Sequence, residues 1–276
     1  MTSIAAHLTH WQGWLALAAV GAYFVSAWLV RRRSAYALRM LGLGLALHAP
    51  VLAVQIVALE GLRYGFAAAL SATLWLAVLV LAWEARSSRL DGAMRVVAPV
   101  AGVSVVLPWV FVGTLFQGEV SALFLPHLVI GTLAYGVYLL AATLAAFILV
   151  QARVLQSRHR LLLEDGVFDQ MPPLLAMERM LFRYLGIGFG LLTVTLLSGL
   201  VFSEEVFGRP LRLDHKSLLT LLAWAVFGVL LWGHRTRGWR GVVAARATLA
   251  GFVALLLGYV GSRFVLEVIL QRGPGR

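Results

Sequence analysis

The side chains in this sequence best suited to chemistry are its seven histidines; there is no cysteine, which removes disulfides, thiol redox chemistry and thiolate metal sites. Imidazole is a common ligand for metals and for haem iron. His127 and His215 each stand at the start of a long apolar run. His48 lies about halfway along another. His234 closes the run that His215 opens, about 28 Å away if the run is helical. His159 lies in a polar segment, and His7 and His10 precede the first run. If the runs are helices that cross a bilayer, His127 and His215 share one side and could be two axial ligands of one haem iron. Below His127, Gly131, Ala134, Tyr135, Tyr138 and Ala142 recur at spacings of three and four, which places them on one helix face. Such a face admits a flat ring, with the tyrosines bonding a polar edge. It equally suits close packing against another helix. His48 could relay protons, bind metal or haem, or hydrogen-bond a neighbouring helix. The acids form no constellation: Glu119, Glu204, Glu205 and Asp214 on one side and Glu164, Asp165 and Asp169 on the other read as loop charges. There is no Gly-rich phosphate loop, HExxH or GxSxG, so enzyme activity is not expected.

The elements that must position these residues follow from composition. Of 276 residues, 61% are hydrophobic and 13% charged, and the mean hydropathy is +0.88. Continuous apolar runs of about 20 residues indicate membrane-spanning helices rather than a barrel. The expected fold is all-α: one transmembrane domain over 1–276 with a bundle of eight helices. They are placed at about Trp11–Val30, Ala37–Leu59, Tyr64–Trp83, Val96–Phe116, Pro126–Val150, Leu181–Phe202, Ser217–Gly233 and Val242–Val265. Pro50, Pro99 and Pro108 fall inside helices, which membrane helices tolerate. The polar stretch Gln151–Met180 could hold a surface helix. The N-terminus carries no positive charge before its apolar run and does not read as a cleaved signal peptide.

The net charge of +11 could suggest nucleic acid, but the arginines cluster between apolar runs, so the bilayer is the expected partner. With eight spans, 16 of the 23 basic residues fall on one side and 7 on the other. By the positive-inside rule the richer side is cytoplasmic, and both termini face outward.

Five segments then carry a family resemblance: LHAP (47–50), PHLVIGTLAYGVYLLA (126–141), MPPLLAMERMLFR (171–183), LAWAVFGVLLWGHRTRGWRG (222–241) and GYVGSRFVLEVIL (258–270). In this order they resemble the cytochrome c assembly protein family, haem-handling membrane proteins of the CcsA, HemX and YpjD kind, and most of all the YpjD branch. The resemblance covers a core of about 37–270. It implies a multi-pass protein of the bacterial inner membrane that binds or handles haem at the outer leaflet. Its partners would include other cytochrome assembly proteins. It further implies His127 as the outer-face ligand, His48 as the histidine within the membrane and His234 as the one leading into the GWRG turn. His215 is carried over from the DHK segment. Haem-presenting members carry a Trp-rich outer loop of the WGxxWxWD type, whereas the loop here is SEEVFGRPLRLDHK; they also end in an HSY-type motif, where this chain reads EVILQRGPGR. That departure points to a haem site without a presenting platform, or to a HemX-like regulator or scaffold.

Overall fold

The computed structural model describes residues 11–58, 61–88, 90–116, 124–156, 172–207 and 215–270. Bilayer interiors offer no partner to a bare peptide group, so each apolar run bonds its own backbone as a helix. Eight helices are long and apolar enough to cross a membrane, the number and order expected. They are α1 (Trp11–Arg31), α2 (Ala37–Ile56), α3 (Phe66–Glu84) and α4 (Asp91–Val110), then α5 (Phe124–Gln156), α6 (Leu174–Phe207) and α7 (His215–Arg237). The last, α8, is α-helical over Gly241–Leu256 and runs on to Ile269 through two wider π turns, Leu257–Gly261 and Val265–Ile269.

Some ends differ from the sequence expectation. α5 and α6 both extend into the polar stretch 151–180, and α6 begins directly after Pro172 and Pro173, which lack the donor a longer helix would need. The surface helix expected between them falls largely outside the described residues. Residues 57–58 and 114–116, expected inside helices, are strands. β1 (Val57–Ala58), β2 (Gly61–Tyr64) and β3 (Thr114–Phe116) form an antiparallel sheet in that order. Val57 pairs with Leu62, and Arg63 with Leu115. Pro108 removes a donor in the last turn of α4, and the chain becomes extended at Phe111. Beyond it Gly113 crosses Gly65 so closely that an added Cβ would lie 2.5 Å from the Gly65 nitrogen.

The chain divides into two units, Met1–Gly118 with Arg263–Arg276, and Glu119–Ser262. In the first, α1 packs on α2 and α4, and α3 packs on both of those. Its interior includes Tyr23, Leu41, Leu81, Met94 and Val105. Gly44 lies against the Tyr23 ring, where a Cβ would come within 2.8 Å. In the second unit α5 packs on α6 and α8, and α7 packs on the same two. At its centre Tyr138 stacks on Phe227, with ring centroids 4.0 Å apart. Gly188 lies under Tyr138 and Gly251 under Phe227. The outward surfaces carry exposed Phe24, Val103, Leu197, Leu222 and Val229. That much exposed apolar area suits acyl chains rather than water.

Candidate functional site

His127 lies in the first turn of α5, half-buried against α6. Its Nδ1 is 2.8 Å from Ser198 Oγ, and that hydroxyl donates to the Thr195 carbonyl at 3.1 Å. A hydroxyl has one proton, so with it directed at Thr195 the imidazole donates from Nδ1–H. Nε2 is then the unprotonated nitrogen, the form that coordinates iron, and a bond on the other nitrogen is the usual way such a ligand is oriented. The ring rests on Gly199, where a Cβ would stand 3.3 Å from Cε1.

The small-residue face below His127 is covered by α6. Gly131 meets Thr195, and Gly188 meets the Tyr138 ring. The Tyr138 hydroxyl is buried with no hydrogen-bond partner among the described residues. Tyr135 donates its hydroxyl to the Leu255 carbonyl at 2.7 Å. There α8 passes from α to π spacing, which leaves a carbonyl short of an in-helix donor. Both tyrosines therefore engage neighbouring helices.

His215 is the first residue of α7 and is exposed. No hydrogen bond or ring contact joins it to His127 among the described residues. α6 and α7 run antiparallel, with the Trp224 indole donating to Thr193 Oγ1 at 2.9 Å. Extended outward, that register sets His215 about one turn beyond Ser198. The two histidines thus occupy the same end of the second unit, on α5 and α7.

His48 is fully buried in the first unit. Its Nδ1 is 3.2 Å from the Tyr23 hydroxyl and its Nε2 is 3.0 Å from Ser71 Oγ. α1, α2 and α3 are thereby joined through one ring. Both nitrogens are engaged by protein, so an iron bond would require one of these to break. Nearby, the Trp75 indole donates to the Leu45 carbonyl at 3.0 Å, beside the Ala46 carbonyl whose in-helix donor is missing at Pro50.

His234 donates from Nδ1 to the Trp239 carbonyl at 2.8 Å and stacks on Phe182 of α6 at 3.4 Å. Trp239 folds back over Gly233, where only a glycine leaves room. Gly238 and Gly241 have φ of 66° and 61°, the left-handed region that glycine adopts freely. Glu178 reaches Gly241, its Oε1 3.4 Å from where a Cβ would lie. Arg237 lies over the rings of Trp232 and Trp239. The MPPLLAMER and WGHRTRGWRG segments thus meet in a clasp that holds the ends of α6, α7 and α8. His7, His10 and His159 lie outside the described residues.

Sequence reasoning missed Glu267. Its carboxylate accepts from the Phe66 N–H at 3.3 Å, at the first turn of α3, and Arg263 stands 3.7 Å away. An acid four residues after an arginine in an apolar run was the available signal. Ser198, Ser71 and Tyr23 were also not singled out. Among the described residues no three histidines or acids gather as a metal site.

Comparison with known proteins gives concordant results. The "Inner membrane protein YpjD" of Escherichia coli K12 is 44% identical over 101 residues, 37% of this chain and 38% of that protein. The "Cytochrome c biogenesis protein CcsA" of Gloeobacter violaceus is 32% identical over 97 residues, 35% of this chain and 29% of that one. The CcsA of Guillardia theta is 27% identical over 152 residues, half of each. The matched stretches thus span at most about half of these relatives. The family described as "Cytochrome C assembly protein" matches residues 13–270, nearly the whole chain, and the chain belongs to that family.

Proposed function

We propose that this protein is a multi-pass component of the bacterial inner membrane that serves cytochrome c biogenesis. It binds or passes haem at the outer leaflet and makes or breaks no covalent bond itself. Membership of the assembly family supports the process, the CcsA relatives support the cargo, and the E. coli relative supports the membrane. The observation that carries the site is the His127–Ser198 hydrogen bond, which orients an imidazole with Nε2 as the coordinating nitrogen. Haem, if bound, would supply an iron for imidazole ligands. His127 would be the first ligand and His215, at the same end of the unit, the second. Tyr135 is engaged by α8, and Tyr138 by α6 and α7, so this face of α5 serves helix packing. His48 holds three helices together.

The test is an absorption spectrum of the detergent-purified full chain after haem loading. A Soret band is expected, lost in His127→Ala, shifted in His215→Ala and unchanged in His48→Ala. Absence of the band, or an unchanged band in His127→Ala, overturns the ligand assignment.

A second reading, a HemX-like regulator or scaffold, draws on the internal bonding of His48, Tyr135 and Tyr138, none of which needs a cofactor. Affinity capture of the full chain and of a variant lacking residues 157–171 tests it. Loss of assembly partners from the variant, with no haem bound by either protein, supports the scaffold; unchanged partners count against it.

A further inference from the structure

We propose that the α7–α8 face of the second unit is a binding site for one anionic phospholipid. Between the two helices lies a recess of about 270 Å³ lined by Ala225, Val226, Val229, Leu230, Trp239 and Ala247. The lining is wholly apolar, and Val229 is half exposed within it. Along α7 the lining runs from Leu230 to Ala225, about 7.5 Å toward the middle of the span. At its other end Trp239 folds back over Gly233.

The charge lies at that Trp239 end. Arg240 follows Trp239 and is exposed. Arg246 directly precedes Ala247 in the lining and is exposed too. Neither α7 nor the part of α8 in this unit contains an acid. Glu178 of α6 takes the position beside Gly241, so the start of α8 is not assigned to the ligand. Arg237 is held over Trp232 and Trp239. Arg235, exposed in the last turn of α7, is nine positions from Val226 and so on the opposite side of that helix from the lining, which leaves Arg240 and Arg246 for the headgroup. Guanidinium matches phosphate oxygens in paired hydrogen bonds. An apolar groove accepts any acyl chain; two arginines at its polar end select a headgroup with net negative charge. Basic residues near an anionic leaflet each favour it by about fivefold.

Native mass spectrometry of the full chain, released from mixed micelles of phosphatidylglycerol and phosphatidylcholine at equal concentration, reads this out. One retained phosphatidylglycerol is expected, preferred about 25-fold. The double variant Arg240→Gln, Arg246→Gln brings the two lipids within about twofold of each other. Val229→Trp fills the recess and loses the retained lipid with both arginines intact; Ala225→Leu, at an exposed position, repeats this if Val229→Trp does not elute as a single folded species. Equal retention of the two lipids in the unaltered chain overturns the proposal. So does a preference that survives the arginine changes, retention that survives filling of the recess, or displacement by millimolar inorganic phosphate, which would make the site one for a free anion.

Discussion

At the scale of single residues, His48 and His127 show how partners decide what an imidazole can do. Each lies in a membrane-spanning helix. His48 has both nitrogens taken by Tyr23 and Ser71, whereas Ser198 orients His127 through Nδ1. His48→Ala leaves two buried hydroxyls without their partner. We expect it to destabilise the protein by about 1–3 kcal/mol, read from unfolding of the purified protein in mixed micelles. Ser198→Ala removes the bond that orients His127, and haem affinity should fall about 10- to 100-fold. A haem titration followed at the Soret band checks it, with an unchanged affinity counting against the proposed role of Ser198. The depth of His48 was legible because its helix was. Its partners lie 25 and 23 positions away, on other helices, and no local pattern announces them.

At the scale of elements, packing between helices rests on glycine facing an aromatic ring. Gly251 meets Phe227, Phe227 stacks on Tyr138, and Tyr138 rests on Gly188. A Cβ at Gly251 would stand 2.6 Å from the Phe227 ring. Gly251→Ala should therefore cost about 1–3 kcal/mol through overpacking. Gly21 has nothing within 4 Å of an added Cβ, and Gly21→Ala should leave the protein unchanged or stabilise it by up to about 1 kcal/mol. Thermal unfolding of the two variants side by side separates the cases. Glu267→Gln retains shape but removes the negative charge from the first turn of α3. A loss of about 0.5–2 kcal/mol is expected, again by unfolding in micelles. The small-residue spacing on α5 was readable as a ring platform or a packing face, and only the register of α6 against it distinguishes them. The sheet was unreadable for a different reason. β2 and β3 meet across about 50 residues of chain, and two to four residues are too few for an alternating pattern.

At the scale of the whole molecule, the basic residues divide unevenly between the two sides expected of eight spans, 16 against 7. In the first unit Arg32, Arg39 and Arg86 lie over Trp28, Tyr36 and Trp83 at helix ends, and in the second Arg237 lies over Trp232 at the end of α7. We propose that the richer side is cytoplasmic and that both termini face outward. An alkaline phosphatase reporter fused after Arg276 should be active, and one inserted within residues 157–171 inactive. The opposite pattern would move His127 and His215 to the cytoplasmic side and end the outer-leaflet reading.

What the sequence determined by itself is what depends on composition and period. Long apolar runs must be helices in a bilayer, and their number, order and approximate ends follow. The motifs in five of these segments indicated the family. Which side chains meet was decided only by tertiary structure. Ser198 beneath His127, Tyr23 and Ser71 around His48, Trp239 over Gly233 and Glu267 at Phe66 depend on how each helix is rotated and how it slides against its neighbours. A shift of one residue turns a helix by about 100°, so an apolar run long enough to cross a membrane leaves that rotation open. Close-packed glycines and interhelical hydrogen bonds close it.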